Sequence, residues 1–293
     1  MEDARRGVGR GRDCRRGGIV GDGSIRGETV IAGTIHPSAV IDRSAEVDSS
    51  ASIGPGAVIG PNVRIGADSA IGPYAVIERN TTIGRGNRIW QFAAIGADTQ
   101  DQKYHGEPSR LEIGDHNQIR EFSTIHRGTA AGGMTTRIRN HVVIMNYAHV
   151  AHDCDIGDHV IISNSSEIAG HAVLEEWVIA AGMVGVHQFT RVGAHAFLAA
   201  GAMVAQDVPP FAMVAGDRAR LVGVNEIGLQ RRGFKPETIS AIKSATRTLF
   251  FSKLLREEAV KKVLDEHRSV PEVEQLVNFI VKSERGVVGR ERE

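Results

Sequence analysis

The sequence is poor in aromatic residues, in cysteine and in net charge, and it lacks a long apolar run. Phe, Trp and Tyr together make up 5% of the 293 residues, a scarcity that the fold has to explain. The two cysteines, Cys14 and Cys154, cannot form a disulfide framework and fit a reducing compartment. Lys plus Arg and Asp plus Glu number 35 each, so the formal net charge is zero. That balance argues against a broad nucleic-acid-binding surface, which needs an excess of basic residues. No apolar stretch approaches the roughly 20 residues of a membrane span, and there is no signal-peptide pattern. The expectation is a soluble cytoplasmic protein with no transmembrane segment and no nucleic-acid partner.

What is abundant is glycine, at 34 of 293 residues or about 12%, against an average of roughly 7%. With 41% hydrophobic residues the chain is not a disordered polymer, so the glycines call for a geometric cause. An internal repeat supplies one. From Ile35 every sixth residue is aliphatic, through Ile41, Val47, Ile53, Ile59, Ile65 and on to Ile95. Two positions earlier sits a small residue, as in Ala39, Ala45, Ala51, Ala57 and Ala75, and Gly often follows the aliphatic one. The phase returns at Ile113, Ile119 and Ile125, shifts by one, and runs from Ile138 to Val204. A period of six is neither helical nor a plain two-sided strand. It predicts short strands joined by tight turns, each turn sending one large and one small side chain inward, in a parallel β-helix. Three hexads, 18 residues, make one triangular coil. A narrow prism has little room for rings, and glycine serves turns that need positive φ or close backbone approach.

Two segments break the repeat. In Ala97–Arg110 the inward slots would hold Asp101 and Glu107, which are too costly to bury unpaired, so this segment is expected to loop out. Arg127–Arg137 absorbs the phase shift. Loops leaving a rigid solenoid are candidate binding elements. After Pro209-Pro210 the pattern turns helical over 236–251, 254–267 and 271–283, with Pro236 and Pro271 suited to first helical positions. The expected organisation is a flexible Arg/Gly-rich arm over 1–27, or a misplaced start, then a β-helix over 28–220. A C-terminal helical domain over 221–293 would cap the last coil.

The 18-residue coil also says which chemistry-bearing residues meet. Residues 18 apart lie one rung apart, about 4.8 Å along the stack. His152, Gly170 and Gln188 form one column, flanked by Asp153 with His171 and by His187. His149 lies just before them. Neutral histidine can take a proton near pH 7, a carboxylate can fix its tautomer, and a glycine N–H can face a developing oxyanion. The competing use is a zinc site built from His149, His152 and His171, as in a zinc hydratase of the γ-carbonic-anhydrase type. A non-catalytic scaffold is the third class. His141, His159 and His195, in a column with Trp177, read as structural, and Cys154 falls in the small inward slot as a core residue.

Several segments are more specific than the repeat. They include Gln100-Asp101-Gln102-Lys103-Tyr104, Thr124-Ile125-His126-Arg127-Gly128-Thr129, Ala148-His149-Val150-Ala151-His152-Asp153-Cys154, Val186-His187-Gln188-Phe189 and Gly228-Leu229-Gln230-Arg231-Arg232-Gly233-Phe234. In these the chain resembles the acyl-ACP:UDP-N-acetylglucosamine O-acyltransferases of bacterial lipid A biosynthesis, from about His36 to the C-terminus. The resemblance implies a left-handed β-helix, a homotrimer, and active sites between neighbouring subunits. It implies transfer of a 3-hydroxyacyl group from acyl carrier protein to the 3-hydroxyl of UDP-N-acetylglucosamine, the first step of that pathway, with no cofactor, metal or covalent acyl-enzyme. By the same resemblance His152 is the general base, Asp153 its support and Gly170 the oxyanion donor. Asp101 holds the sugar beside Gln100 and Lys103. His149, His171, His187 and Gln188 contact sugar, acyl or pyrophosphate groups, and Asn225, Arg231 and Arg232 reach the nucleotide. Ala200 stands at the acyl-chain ruler and implies an intermediate chain length. Ile227 stands where the family often has a Glu, which leaves the detail of uridine recognition open. The sister N-acyltransferase of the pathway carries an N-terminal uridine-binding domain, for which the arm is too short. A CoA-dependent acetyltransferase is a more distant alternative.

Overall fold

The computed structural model describes residues 33–289, so the Arg/Gly-rich arm over 1–27 and Cys14 lie outside the described residues. Strands of mostly two residues recur every six positions from Val40–Ile41 to Met203–Val204. They stack into three parallel sheets, one per side of a triangular coil. Registers run as the period requires, with Val40 opposite Val58, His149 opposite Glu167 and Glu167 opposite Gly185. The aliphatic residue of each hexad points inward and is fully buried at Ile53, Ile59, Ile95, Ile144 and Ile162. The small slot two residues earlier is buried as well, at Ala51, Ala57, Ala93, Ala148 and Cys154.

Glycine meets both expected turn roles, but it shares the left-handed one with other residues. The left-handed turn position is filled mostly by other residues, such as Asn62, Asp68, Tyr74, Asp153, His171 and Trp177, with φ between 55° and 62°. Asn and Asp tolerate this region, whereas rings rarely adopt it. Here the rings stack on one another along the corners, outside the prism. Tyr74, Phe92, Phe122 and Tyr147 form one ladder, with centroids 5.1–5.7 Å apart. His116, His141, His159, Trp177 and His195 form another, so the histidines read as structural do stack as a structural column. The glycine after the aliphatic residue serves close approach instead. A Cβ on Gly72 would stand 2.7 Å from the backbone nitrogen of Gln91 in the next rung.

Both breaks in the repeat are loops. Ala94 pairs with Thr124, thirty residues on instead of 18, so twelve extra residues leave the coil between them. Thr124 pairs with His149, 25 residues on, so seven more leave over the next turn, part of them as a short 3-10 turn at Ala130–Gly132. The odd seventh residue is the one-residue phase shift.

The far end of the coil differs from expectation in one respect. Residues 221–224, expected in the helical part, belong to the strand Arg220–Val224, which pairs antiparallel with Ala212–Ala215 and closes the ten-stranded sheet. Helices α1 (Glu226–Arg231), α2 (Pro236–Phe251), α3 (Arg256–Glu266) and α4 (Pro271–Lys282) follow, with Pro236 and Pro271 at first helical positions. Their apolar faces, including Ile242, Val263, Leu276 and Ile280, form a second core that takes in Phe211 from the last coil. The segment after α4 returns to that coil, where the Ser283 hydroxyl donates to Asp207 and Val288 N–H to the Asp207 carbonyl. No helix among the described residues is long and apolar enough to cross a membrane.

Replacing Gly72 by Ala should force the stacked rungs apart and destabilise the protein by about 1–3 kcal/mol, the range for overpacking. Gly223→Ala, where a Cβ meets nothing within 4 Å, should be near neutral. Thermal unfolding of the two variants checks this, and equal midpoints would contradict the close-approach reading.

Candidate active site

The pairing registers set His152, Gly170 and Gln188 on three successive rungs of one corner. They line a cleft of about 970 Å³, to which the second loop contributes Ala131. Gln100, Asp101 and Lys103 line it from the first loop; His149, His152, Gly170, His171, His187 and Gln188 line it from the coil.

Asp153 is the best-satisfied group in the site. Its side chain is 1% exposed. One carboxylate oxygen accepts the Thr129 N–H (2.8 Å); the other accepts the Thr129 hydroxyl (2.6 Å) and contacts His152 Nδ1 (2.8 Å). Burial pushes this carboxyl up, but the bonds from His152 and Thr129 outweigh it and hold the group below the usual carboxylate range. Asp153 is therefore ionised and can only accept. Nδ1 of His152 must carry the proton, leaving the Nε2 lone pair for the cleft. The second loop makes this burial possible: a Cβ on Gly132 would stand 1.9 Å from the Asp153 carboxyl carbon.

Nε2 of His152 lies over Gly170, where a Cβ would come within 2.6 Å of it. Among the described residues, the Gly170 N–H donates to no acceptor; nor do the N–H groups of His152 and Gln188, its column mates. Gly170 alone of the three has no side chain to cover that donor.

Two further imidazoles, His171 and His149, have their pKa pushed down. His171 sits edge-on to His152 with centroids 5.0 Å apart, stacks on Phe189, and has Nε2 3.8 Å from Asp153. Burial pushes its pKa down against the pull of Asp153. His149 meets the Thr124 hydroxyl at 2.7 Å, and burial with the nearby His152 lowers it too. At His187, Nδ1 lies 2.8 Å from the Arg285 guanidinium and 3.0 Å from the Gln188 carbonyl. Cys154 points into the prism and burial pushes its thiol up to about 12, so it is no nucleophile at neutral pH.

Four residues named from the resemblance are not on the cleft of the single chain: Ala200, Asn225, Arg231 and Arg232. Asn225 is 7% exposed and caps α1, accepting the Gly228 N–H (3.2 Å) and donating to the His195 carbonyl (2.9 Å). Arg232 lies over Trp177 and meets His195 Nδ1 at 3.2 Å. Arg231 ends α1 on the surface. Conversely, sequence reasoning gave no site role to His126, Thr129, Met203, Arg218 or Arg285. His126 packs edge-on to His149 at 4.7 Å. The phase break between them hides that contact from an 18-residue register.

A hexapeptide coil bearing a histidine–carboxylate dyad against a bare glycine N–H defines a hexapeptide-repeat transferase. The bacterial hexapeptide transferase pattern matches residues 62–97 and 135–170, and the coil is a left-handed parallel β-helix. Domain 2 of the UDP-N-acetylglucosamine O-acyltransferases matches residues 207–288. The acyl-[acyl-carrier-protein]–UDP-N-acetylglucosamine O-acyltransferase of Herminiimonas arsenicoxydans is 48% identical over 68% of this chain and 77% of its own. That of Janthinobacterium sp. (strain Marseille) is 50% identical over the same shares. Among solved structures, the UDP-N-acetylglucosamine acyltransferase of Francisella novicida superposes with a TM-score of 0.84 at 41% identity, covering 89% of this chain and 95% of that one. The Bacteroides fragilis enzyme gives 0.85 at 40%, covering 87% and 100%. The chain belongs to the UDP-N-acetylglucosamine O-acyltransferase family.

Burial, with His149 and His152 beside it, pushes the His126 imidazole down to about 4. It should stay neutral in the folded protein as pH falls from 7 to about 4, while the unfolded chain takes up that proton near 6.5. Stability present above 6.5 should therefore be lost as pH falls through this window. Imidazole NMR titration checks this; a His126 midpoint at or above 6.5 would contradict it.

Proposed function

We propose that this protein transfers a 3-hydroxyacyl group from the phosphopantetheine thiol of acyl carrier protein to the 3-hydroxyl of UDP-N-acetylglucosamine. The observation that carries the reading is His152, its Nδ1 bonded to Asp153 and its Nε2 lying over Gly170, whose N–H has no acceptor among the described residues. Nε2 takes the proton of the sugar hydroxyl as its oxygen attacks the thioester carbonyl. The negative charge that develops on the carbonyl oxygen is met by the Gly170 N–H. Collapse breaks the carbon–sulfur bond, and the thiol leaves with the proton held by His152. Asp153 stays ionised throughout, fixing the tautomer and stabilising the imidazolium. Asp101 holds the sugar, with Gln100 and Lys103 beside it, while His149, His171, His187 and Gln188 line the path of the sugar, acyl and pyrophosphate groups. The reaction needs no cofactor or metal, because base, oxyanion donor and positioning groups are all side chains or backbone.

His152, Asp153 and His171 are close enough to share a cation, with ligand atoms within 4.8 Å of one another. Their geometry favours acid–base use instead. His152 Nδ1 and Asp153 face each other in a hydrogen bond, whereas metal ligands converge on a third point.

We further propose a cytoplasmic homotrimer. Two observations support the trimer. The ladder Tyr74, Phe92, Phe122 and Tyr147 leaves four rings 44–58% exposed along one corner, a surface suited to a neighbouring copy. In addition, Ala200, Arg231 and Arg232 lie off the single chain's cleft, so a neighbour's copies of these residues can complete the acyl and nucleotide ends.

His152→Ala should keep its assembly state and lose at least about a hundredfold in kcat with 3-hydroxyacyl carrier protein and UDP-N-acetylglucosamine, in line with general-base contributions. Near-wild-type turnover would remove His152 from its role, and a wild type active only with acetyl-CoA would overturn the donor assignment.

A further inference from the structure

The largest fully buried side chain among the described residues is charged. Arg127 follows the strand Thr124–His126 and does not line the cleft. Taking a guanidinium out of water is costly unless its donors are met, and an apolar residue would fill the same space more cheaply. Its partners therefore indicate what it does. One terminal nitrogen donates to the Gly96 carbonyl; the other donates to Asp98 and to the Tyr104 hydroxyl. The Arg127 N–H also donates to the Ala97 carbonyl (3.1 Å). Every one of these acceptors belongs to the first loop or its root.

The loop has little else to hold it. Gln100, Gln102, Lys103, His105, Gly106 and Pro108 are exposed, and no apolar side chain of the segment is buried. Its polar contacts converge on the same cluster. The Tyr104 hydroxyl reaches Asp98 and the Glu107 carbonyl, both at 3.1 Å, and Arg79 donates to Asp98 at 3.0 Å. Tyr104 is in turn tied to Asp101, because its N–H donates to the Asp101 carbonyl (2.9 Å). The Asp101 carboxylate accepts the Lys103 N–H (3.0 Å), which orients it within this turn. A continuous chain of bonds thus runs from the buried Arg127 through Asp98 and Tyr104 to Asp101 at the cleft. Two residues on, Thr129 donates twice to Asp153. The segment 127–129 therefore fastens the acceptor loop at one end and the catalytic dyad at the other.

We propose that Arg127, with Asp98 and Tyr104, is a latch that sets the first loop in its sugar-binding position. Arg127 is a positioning residue, acting through Asp101, and Thr129 is its counterpart for the base. This rests on the reading of the cleft given above, in which Asp101 binds the acceptor sugar.

Arg127→Ala is a poor test, since emptying the buried site can unfold the protein. Tyr104→Phe and Asp98→Asn keep Arg127 and the loop's length. Steady-state kinetics should show KM for UDP-N-acetylglucosamine raised roughly tenfold in each, as expected for a lost charge-assisted bond, with kcat and the KM for the acyl donor changed by less than about twofold. Thr129→Val should show the opposite split, with kcat reduced and the sugar KM nearly kept. Amide hydrogen exchange of 98–108 provides a readout that needs no substrate, and it should accelerate in Tyr104→Phe and Asp98→Asn. Unchanged exchange overturns the latch, whatever the substrate proves to be. Faster exchange with an unchanged sugar KM overturns its role in acceptor binding, as does a fall in kcat alone. A wild type that does not turn over UDP-N-acetylglucosamine strikes instead at the reading of the cleft, and the latch then stands or falls on the exchange data.

Discussion

The rest of the structure depends on the hydrogen bonds between parallel strands 18 residues apart. Each rung is held to the next through backbone groups at fixed spacing, so the side chains at one corner are stacked whether or not they attract each other. The corner ladders of Tyr, Phe and His follow from this, as does the column in which His152, Gly170 and Gln188 stand. The same spacing makes the coil intolerant of side chains where rungs approach. Gly72 meets the next rung's backbone, and Gly170 meets the His152 ring. In the first case the bare position serves stacking alone. In the second it also leaves an N–H donor open beside a base.

A regular coil could not by itself bury a carboxylate. The candidate site is built where regularity fails, because the two loops bring the polar partners that the prism lacks. Thr129 and the glycine-bearing turn around it wrap Asp153 so that it stays ionised at 1% exposure. Arg127 ties down the loop that carries Asp101. Burial and the neighbouring His152 push the pKa values of both His126 and His149 down.

Most of the coil was legible because a six-residue period is a direct image of strand and turn geometry. The same arithmetic placed Asp153, His171 and His187 around His152 without any homologue. It failed where the register slips. His126, Arg127 and Thr129 reach His149, Asp98 and Asp153 across insertions of twelve and seven residues, which no fixed period can bridge. Arg285 meets His187 from 98 residues away, through a helical segment whose docking the hexads do not encode. Residues 221–224 read as part of the helical region because an isolated antiparallel strand carries no hexad signature. The glycine excess was correctly tied to turns of both kinds: ten described glycines have positive φ, and others, such as Gly72, stand where rungs approach too closely for a Cβ.

The central claim is that the hexad register delivers one unprotonated nitrogen and one free N–H to the same reacting centre. A crystal structure with the acylated nucleotide sugar bound tests it most directly. The account predicts the ester oxygen on the sugar's third carbon within about 2.7–3.2 Å of His152 Nε2, and the acyl carbonyl oxygen facing the Gly170 N–H. A product bound in the cleft with its ester remote from both would contradict it.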